Sequence, residues 1–498
     1  MRQLKKRIRK VMLIFPPVVF SAESPKQIMP PLGIGYLGAY LRNDYEVRLL
    51  DAALEGYEFE RPAADGFKCY GLTADQIKKR VEEFAPDVVG ISCLYSSQFE
   101  TVSEICKSIK SLSADIITVS GGTHPTFLTE ICLNSCPWLD LIVLGEGEET
   151  FRRLLDSFNQ GSSYYDIEGI AFKENGLVRV NPKKNFIENI DTIPYPARDL
   201  LNLEKYYEID LPMGLISRKS PAMNMITSRG CPYKCSFCSS SVYWGRNYRM
   251  RSAENVLEEM AQLKMMGIRE LKFVDDNLTL DKQRAKKIFQ GMIDRKFNFT
   301  WNTPNGVAAQ TLDEELIELM KKSGCYEITL AIESGDKRTL QDIIKKPIDL
   351  DKTMQTAKMI ADHGIDTYGF FIIGFPQETK QGIYNTLKFM EKIKLDRVSL
   401  FLANPLPGTE IYEECLKRGY LSKNSAFLDY FKSSFKTENF DRKFLESLRR
   451  KWYWKYNLKL ILRNPFKFFK IYNKFIFRKP LYLIKAILNK FIIPELKT

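Results

Sequence analysis

The 498-residue sequence contains no uninterrupted run of 18 or more apolar residues. A helix that crosses a bilayer needs roughly 20 such residues, so no membrane-spanning helix is expected. The ten cysteines show no regular pairing pattern, which argues against a disulfide framework and for a reducing compartment. Low-complexity segments and internal repeats are also absent. With 44% apolar and 27% charged residues, the composition is that of a globular protein of two or three domains.

The N-terminal sequence MRQLKKRIRKVMLIFPPVVF places a basic stretch before an apolar one, as secretory signals do. Pro16 and Pro17 interrupt the apolar run, whose pattern fits a first buried strand better. We therefore expect a cytoplasmic protein.

The net charge of +13 comes from one end of the chain. Residues 442–498 contain 16 Lys and Arg but only Glu446 and Glu495 as acids, a local balance of +14. The remaining residues therefore sum to −1.

Basic residues recur every three or four positions in this C-terminal region, with aromatic residues between them. They are Lys451, Lys455, Lys459, Arg463, Lys467, Lys470, Lys474 and Arg478. The spacing predicts helices interrupted near Pro465 and Pro480, with a basic stripe beside an aromatic surface. Three interpretations stay open: contact with an anionic membrane, contact with nucleic acid, or packing against the rest of the protein.

One short stretch carries three thiols, Cys231-Pro-Tyr-Lys-Cys235-Ser-Phe-Cys238, on a loop after the apolar run Met223–Thr227. Thiolates suit zinc or an iron–sulfur cluster. A structural zinc site needs four ligands, whereas the next cysteine here is Cys325. Three close thiols favour a four-iron cluster with one open iron. The alternatives are a zinc site completed by a ligand from elsewhere in the chain, or ordinary buried cysteines. The sequence contains no second motif with this spacing, so an auxiliary cluster is not expected.

The first 150 residues alternate apolar runs with helical patterns. The predicted strands are Val11–Phe15, Tyr45–Asp51, Asp87–Cys93, Ile116–Ser120 and Leu141–Leu144. Such runs of Val, Ile and Leu fit strands buried on both faces of a parallel sheet. Five βα units predict a doubly wound α/β domain that binds its ligand at the carboxyl ends of the strands.

Several glycine-rich loops fall in this region. Gly33-Ile-Gly35-Tyr-Leu-Gly38 matches the dinucleotide pattern G-x-G-x-x-G, but about seventeen residues separate it from the first strand. We interpret it as a helix start with small residues for close packing. The loops at Gly121-Gly122 and Gly145-Glu146 follow predicted strands, where paired glycines admit a bulky ligand or form turns.

From Met223 onward, β and α patterns alternate again. The predicted strands are Met223–Thr227, Glu270–Val274, Phe299–Asn302, Glu327–Ile332, Asp366–Ile373 and Arg397–Leu402. Intervening helices such as Ala253–Met266 and Asp313–Lys322 show apolar residues at helical spacing. Six such units predict a partial (β/α)6 barrel whose strand ends carry the functional groups.

Cys231, Cys235 and Cys238, with Phe237 before the last cysteine, resemble the signature of the radical S-adenosylmethionine (SAM) enzymes. In that family the three cysteines hold a 4Fe–4S cluster whose open iron is chelated by SAM. Reductive cleavage of SAM then releases a 5′-deoxyadenosyl radical. The resemblance implies a cluster on the three cysteines, SAM beside Phe237 and a reducing electron donor.

Residues at the predicted barrel strand ends resemble the SAM-contacting elements of this family. Asp275 and Asp276 stand where the wider family often has Gly-Gly-Glu, and the acidic pair resembles the cobalamin-binding subgroup. It implies contact with the SAM amino group, with capping of the next helix as the alternative. Glu333 and Ser334 resemble a Glu-Ser-Gly element that contacts SAM, with a solvated loop as the alternative. Gly374 follows the strand that resembles the adenine-packing stretch.

The N-terminal loops, together with Pro-Pro-Leu-Gly before the first helix, resemble the cobalamin-binding domain that precedes many radical SAM enzymes. The residues implied to bind cobalamin are Leu32, Gly33, Gly121, Gly122, Thr123, His124, Gly145 and Glu146. The D-x-H-x-x-G motif of other cobalamin proteins is absent, and His124 and His363 are the only histidines. We interpret His124 as a loop residue near the corrin rather than a cobalt ligand.

The expected organisation has four segments. Residues 1–155 form the Rossmann-like cobalamin-binding domain, 156–222 a linker with a hairpin, 223–415 the radical SAM core, and 416–498 a basic, aromatic helical region. The resemblance implies a cobalamin-dependent radical SAM methyltransferase acting on an unactivated carbon. A membrane-seeking tail would favour a lipid or isoprenoid substrate.

Other functions remain open. The same cofactors could serve cyclisation, rearrangement or carbon–carbon bond formation without methyl transfer. An RNA-modifying radical SAM enzyme would use the basic tail. A thiolate-based redox or iron sensor would leave the barrel's strand-end residues unexplained.

Overall fold

The computed structural model describes residues 7–21, 26–63, 67–212, 217–421, 435–463 and 465–466. These residues form two compact units. The first comprises residues 7–20, 28–209 and 239–251, and the second comprises the other described residues.

The described residues form the following strands and helices. The strands are β1 Lys10–Phe15, β2 Val18–Ser21, β3 Glu46–Asp51, β4 Glu60–Pro62, β5 Phe67–Tyr70, β6 Val88–Ser92, β7 Ile117–Gly121, β8 Leu141–Val143, β9 Ile170–Glu174, β10 Leu177–Asn181, β11 Ala222–Met225, β12 Ser228–Arg229, β13 Arg249–Met250, β14 Glu270–Phe273, β15 Thr300–Asn302, β16 Cys325–Glu333, β17 Asp366–Ile373 and β18 Arg397–Leu402. The α-helices are α1 Leu32–Leu41, α2 Ala52–Glu55, α3 Ala74–Phe84, α4 Phe99–Leu112, α5 Thr123–Phe127, α6 Thr129–Ser135, α7 Glu148–Gln160, α8 Leu203–Ile209, α9 Ser240–Tyr243, α10 Ala253–Met265, α11 Lys282–Asp294, α12 Glu314–Lys322, α13 Leu350–Asp362, α14 Lys380–Ile393, α15 Glu410–Lys417 and α16 Arg442–Arg463.

The first unit is built on a seven-stranded sheet in the order β10-β9-β8-β7-β6-β1-β3. Strands β3, β1, β6, β7 and β8 are parallel, and their order along the sheet is that of a doubly wound fold. Alternate residues of β1 enter different cores: Met12 and Ile14 lie in one buried cluster, whereas Val11 and Leu13 lie in another. The strands are therefore covered on both faces, as their apolar runs predict.

The hairpin β9–β10 differs from its expected place in a linker. It extends the main sheet, since β9 pairs antiparallel with β8 and Phe172 lies opposite Leu141. Ile170 and Ala171 are fully buried there. The apolar β9 residues need the exposed edge of β8 for burial, so the first unit continues well past residue 155.

The second unit contains six parallel strands in chain order, β11-β14-β15-β16-β17-β18, as a partial barrel predicts. At the amino ends of these strands, Glu270 accepts hydrogen bonds from the Tyr326 hydroxyl and the Arg218 and Lys219 amides. Lys272 pairs with the same carboxylate at 2.7 Å. The two buried charges therefore compensate each other, and removing either partner would leave an unpaired buried ion.

Helix α16 packs along the edge strand β18. Its Arg449, Tyr453 and Tyr456 side chains donate to the carbonyls of Leu400, Val398 and Leu395 at 2.8, 3.0 and 3.2 Å. These bonds satisfy acceptors that an open sheet edge leaves unpaired.

Packing against the barrel is therefore the arrangement of the described part of the basic region. Lys467, Lys470, Lys474 and Arg478 lie outside the described residues. Within the described part of the chain, no helix is both long and apolar enough to span a membrane.

Candidate cofactor sites of the two units

The cysteine motif lies on a loop of the second unit after β11, where all three thiols are partly exposed. Ser236 anchors its middle: the amide donates to the Ile344 carbonyl at 2.9 Å and the hydroxyl to the Ile343 carbonyl at 2.6 Å. The Ser236 carbonyl accepts from the Ile411 amide at 3.1 Å. Three bonds to distant elements thus fix the backbone that carries the thiols.

Asp275, at the end of β14, anchors the start of the same loop. Its buried Oδ1 accepts from the Thr227 amide at 3.0 Å and from the Thr227 and Ser228 hydroxyls at 2.6 Å each. Burial raises the pKa of Asp275, against the lowering effect of these hydrogen bonds. Asp275 is predicted from the sequence to contact SAM, and its Oδ1 is already bonded to the start of the cysteine loop.

Asp276 lies close enough to the cysteine motif for its charge to act on Cys231. It is partly exposed, and its charge adds to burial in raising the pKa of Cys231. Of the two predicted acidic residues, Asp276 is the one whose charge acts directly on a cysteine of the motif.

Glu333, the last residue of β16, is paired with the buried Lys346. Lys346 Nζ lies 2.8 Å from Glu333 Oε1 and donates to the Ala331 carbonyl at 2.7 Å. Burial alone would lower the pKa of Lys346, but Glu333, Cys235 and Cys238 raise it. Lys346 in turn opposes the burial that raises the pKa of Cys235 to about 11.

Sequence reasoning missed Lys346. It is one of two adjacent lysines that follow a π-helical turn, Thr339–Ile344, and only the fold shows that it points inward. Its role is electrostatic, since it places a fixed cation beside two of the three thiols.

Ser334 and Gly374 are held by the protein itself. Ser334 is fully buried, with its hydroxyl 2.8 Å from that of Thr386. Gly374 has φ of 87°, and a Cβ there would lie 2.6 Å from a Leu445 methyl carbon. These contacts account for a serine and a glycine at the two positions without any ligand. The predicted contacts of Ser334 and Gly374 with SAM stay predictions.

Phe237 lies against Phe375, with ring centroids 5.9 Å apart. The contact joins the cysteine motif, in which Phe237 directly precedes Cys238, to a residue just beyond the end of β17. It fixes the Phe237 ring, and its predicted place beside the cofactors stays a prediction.

The donor set fits a thiolate-ligated cluster. Within the described residues, no three Cys, His, Asp or Glu side chains already surround one point as the ligands of a metal would. Three partly exposed thiols on an anchored loop, beside a buried cation, nevertheless supply the ligand type and charge environment of an iron–sulfur cluster. Ligand geometry is commonly completed when metal binds.

In the first unit, the predicted loops lie at the carboxyl ends of β7 and β8. Gly122 has φ of 113°, and a Cβ there would lie 2.6 Å from the Cys93 carbonyl oxygen. The Thr123 hydroxyl donates to the Leu94 carbonyl. Gly122 is therefore required by the close approach of two strand ends, whether or not a ligand binds above them.

His124 is buried and neutral. Its Nδ1 lies 2.9 Å from the Ser96 hydroxyl, and its ring packs on Phe99 with centroids 5.0 Å apart. Nε2 is buried without a hydrogen-bond partner among the described residues. Burial lowers the pKa of His124 to about 4. This environment suits a loop residue, as the sequence interpretation has it.

Glu146 forms a buried ion pair within the first unit. Its two oxygens lie 3.0 and 2.9 Å from Arg249 Nη1, and Oε2 also accepts from the Ile187 amide at 2.9 Å. The adjacent Gly145 has φ of 61°. The carboxylate predicted to contact cobalamin thus fastens Arg249 to the sheet.

The start of α1 is more open. A Cβ on Gly33 would meet no atom within 4 Å, whereas one on Gly35 or Gly38 would lie 3.1 Å from Pro196 or 3.0 Å from Leu49. Close packing therefore explains the second and third glycines of the G-x-G-x-x-G sequence. Leu32, Gly33 and Gly121 remain at least partly accessible, and their predicted contacts with cobalamin stay predictions.

Comparison with known proteins agrees with both units. Residues 225–390 match the Radical SAM superfamily, and residues 19–155 match the B12 binding domain. The cytidylyl-2-hydroxyethylphosphonate methyltransferase of Streptomyces wedmorensis is 34% identical over 84% of this chain and 83% of its own. The anaerobic magnesium-protoporphyrin IX monomethyl ester cyclase of Rubrivivax gelatinosus is 28% identical over 77% of this chain and 66% of its own.

A solved structure shares the fold. The radical SAM methyltransferase TsrM from Kitasatospora setae, with cobalamin and a [4Fe-4S] cluster bound, superimposes with a TM-score of 0.65 and 18% identity. The match covers 82% of this chain and 78% of that one.

Together the fold and the relatives define an enzyme class. The chain belongs to the radical SAM enzymes that carry a B12 binding domain. The predicted family and fold class are thereby confirmed.

The anchoring role of Ser236 can be tested by Ser236→Ala. The change removes a buried donor from the Ile343 carbonyl, at a cost of about 1–3 kcal/mol. We expect less iron and sulfide per chain after anaerobic reconstitution. Ser239→Ala is the matched control, because Ser239 caps α9 without a side-chain hydrogen bond. Equal iron content in both variants would contradict the anchoring role.

The structural role of Glu146 can be tested without cofactors. Glu146→Gln leaves the buried Arg249 uncompensated, and we expect unfolding of the cofactor-free protein to become easier by about 3–5 kcal/mol. Asp199→Asn, which breaks an exposed pair with Arg42, should change stability by less than about 1 kcal/mol. An unchanged denaturation midpoint in Glu146→Gln, with weakened cobalamin binding, would instead make Glu146 a cofactor contact.

The neutrality of His124 can be read directly by NMR, because histidine-selective labelling gives signals from only two side chains. We expect the His124 imidazole to stay neutral from pH 8 down to about pH 5.5, since its pKa is lowered to about 4. An unfolded histidine takes up a proton near pH 6.5, so this burial costs stability as pH falls between about 6.5 and 4. If the His124 signal in the folded protein titrates near pH 6.5, the imidazole is solvated and the expectation is wrong.

Proposed function

We propose that this chain is a cobalamin-dependent radical SAM methyltransferase acting on an unactivated carbon of a small molecule. The observation that carries the proposal is the three-cysteine loop, anchored on the barrel by Ser236 and Asp275 beside the buried Lys346. The 34% identity with a methyltransferase over most of both chains supports methyl transfer in particular.

Each cofactor has residues that would hold it. Cys231, Cys235 and Cys238 would ligate a 4Fe–4S cluster, and the first unit's strand-end loops would hold cobalamin. When bound, the cluster with SAM supplies hydrogen-atom abstraction and cobalamin supplies the methyl group.

The protein's own groups orient these cofactors and set their electrostatics. Lys346 keeps positive charge beside Cys235 and Cys238, and this charge opposes the burial that raises the pKa of Cys235. Asp276 is the accessible acid that would face the SAM ammonium, while Asp275 and Ser236 fix the loop. His124 would line the cobalamin edge as a neutral side chain without ligating cobalt.

A second candidate keeps the cofactors but transfers no methyl group. The identity with an anaerobic cyclase favours this alternative, in which the substrate radical closes a ring or forms a carbon–carbon bond. The cysteine loop would serve either outcome, so the substrate decides between them.

The substrate is proposed as a small molecule, and a lipid or isoprenoid is the narrower proposal. A reducing electron donor is required because SAM cleavage consumes one electron. Peripheral contact with a membrane would bring the C-terminal helix and a lipid substrate to the same surface.

The proposal is tested by anaerobic incubation of the reconstituted, reduced protein with methyl-labelled SAM. We expect 5′-deoxyadenosine from the wild-type protein and none from Cys235→Ala, because a missing ligand leaves the cluster incomplete. Cys325→Ala, which changes a buried cysteine of β16 outside the motif, is the control. Label in the product supports the methyltransferase, label absent from a rearranged product supports the cyclase, and no 5′-deoxyadenosine at all would refute both.

A further inference from the structure

Helix α16 has a second face whose apolar side chains are exposed. Leu445, Trp452 and Tyr456 are buried, with 1%, 7% and 8% of their surfaces exposed. Trp454, Leu458 and Leu462, each four residues apart, are 49%, 46% and 74% exposed. Phe466, four residues further along, is 87% exposed. We call Trp454, Leu458, Leu462 and Phe466 the apolar stripe.

Basic residues flank this stripe. Lys451, Lys455, Lys459 and Arg463 precede its four members by three residues each, so they lie beside them on the helix surface. Glu446 is the single acidic residue of α16, against eight Lys and Arg. Lys455 and Lys459 also reach Glu391 of α14, at 3.6 and 2.9 Å.

We propose that the apolar stripe and its flanking basic residues form a docking surface for an anionic lipid bilayer. Exposed aliphatic and aromatic side chains beside Lys and Arg are the features of helices that lie in a membrane interface. The acyl boundary takes up the apolar side chains, while anionic headgroups attract the cations. Neither the apolar stripe nor its flanking basic residues depend on the cofactors or on the proposed reaction.

The charge of the chain itself argues against other occupants. Residues 467–498 contain eight Lys and Arg against Glu495, so this segment has the same sign as α16 and does not complement it. A second copy of the helix would be repelled for the same reason. Nucleic acid complements the charge, but its phosphate backbone offers no apolar surface for Leu458, Leu462 and Phe466.

The test is flotation of the full-length, reconstituted enzyme with vesicles. We expect the protein to float with phosphatidylcholine vesicles that contain phosphatidylglycerol, and to stay at the bottom with phosphatidylcholine alone. Binding should weaken as salt is raised. Failure of the wild-type protein to float with the anionic vesicles would overturn the proposal, while leaving the proposed chemistry untouched.

Variants separate the apolar and basic contributions. Leu458→Ser/Leu462→Ser/Phe466→Ser should weaken vesicle binding by about tenfold or more, because three apolar side chains no longer enter the bilayer. Arg450 precedes Trp454 by four residues and so lies beside it as Lys451 does. Arg450→Glu/Lys451→Glu should weaken binding to anionic vesicles. The matched control, Leu177→Ser/Met265→Ser, removes two other exposed apolar side chains, which are 76% and 80% exposed, and should bind as wild type.

Unchanged thermal unfolding of each variant confirms that the fold persists, as expected for exposed positions. Wild-type vesicle binding by the triple variant would place the contact elsewhere and overturn the proposal. Two further outcomes would also overturn it: a dimer that the triple variant abolishes, or salt-sensitive RNA binding in place of vesicle binding.

Discussion

The path of the cysteine loop depends on buried hydrogen bonds from Asp275 and Ser236. The loop has little regular backbone pairing of its own, so side chains rooted in the barrel must hold it. Asp275 gathers one amide and two hydroxyls at the loop entry, and Ser236 ties the middle to the π-helical turn. The second oxygen of this carboxylate, Asp275 Oδ2, is buried without a hydrogen-bond partner among the described residues. Buried polar groups are costly when unpaired, so the bonds made by Asp275 Oδ1 and Ser236 favour one loop conformation. The backbone is thereby fixed before metal binds, and the thiol side chains complete the site.

The same region concentrates charge around Lys346. A buried lysine is stable only beside negative charge, and Glu333 provides it at 2.8 Å. The thiols provide more when they ionise, which is why they raise the pKa of Lys346 as it offsets the burial of Cys235. The pairing couples the end of β16 to the cysteine motif. One cation therefore serves both the strand-end carboxylate and the thiols expected to carry negative charge in a cluster.

The sequence predicts the architecture well because parallel strands leave a strong pattern. Unbroken apolar runs locate the strands of both sheets within one or two residues, and the bounds of Asp366–Ile373 and Arg397–Leu402 agree with the structure. A pattern that predicts a hairpin does not reveal which strand the hairpin joins, so the sequence alone does not show that β9 pairs with β8. Its burial against β8 comes from tertiary packing alone.

The roles of individual site residues are harder to predict. A polar residue at a strand end looks the same in sequence whether it faces a ligand or a neighbouring loop. Asp275 turns toward Thr227, and Glu146 toward Arg249, a partner 103 residues away. At Gly374 a side chain would clash with Leu445 of the C-terminal helix, so packing explains this glycine without a ligand. Such partners are set by the fold, so the motif locates the site while only coordinates assign the contacts.

The C-terminal helix shows how one basic, aromatic sequence can serve two surfaces. Arg449 and Tyr453 donate to carbonyls of β18, and Tyr456 donates to the Leu395 carbonyl just before this strand. These hydrogen bonds do not explain the apolar residues on the opposite face, where Leu462 is exposed. Packing on the barrel therefore accounts for the residues on one face of α16 only. The exposed apolar residues of the other face are those proposed to dock on an anionic bilayer, whose negative charge would complement the positive charge of the helix.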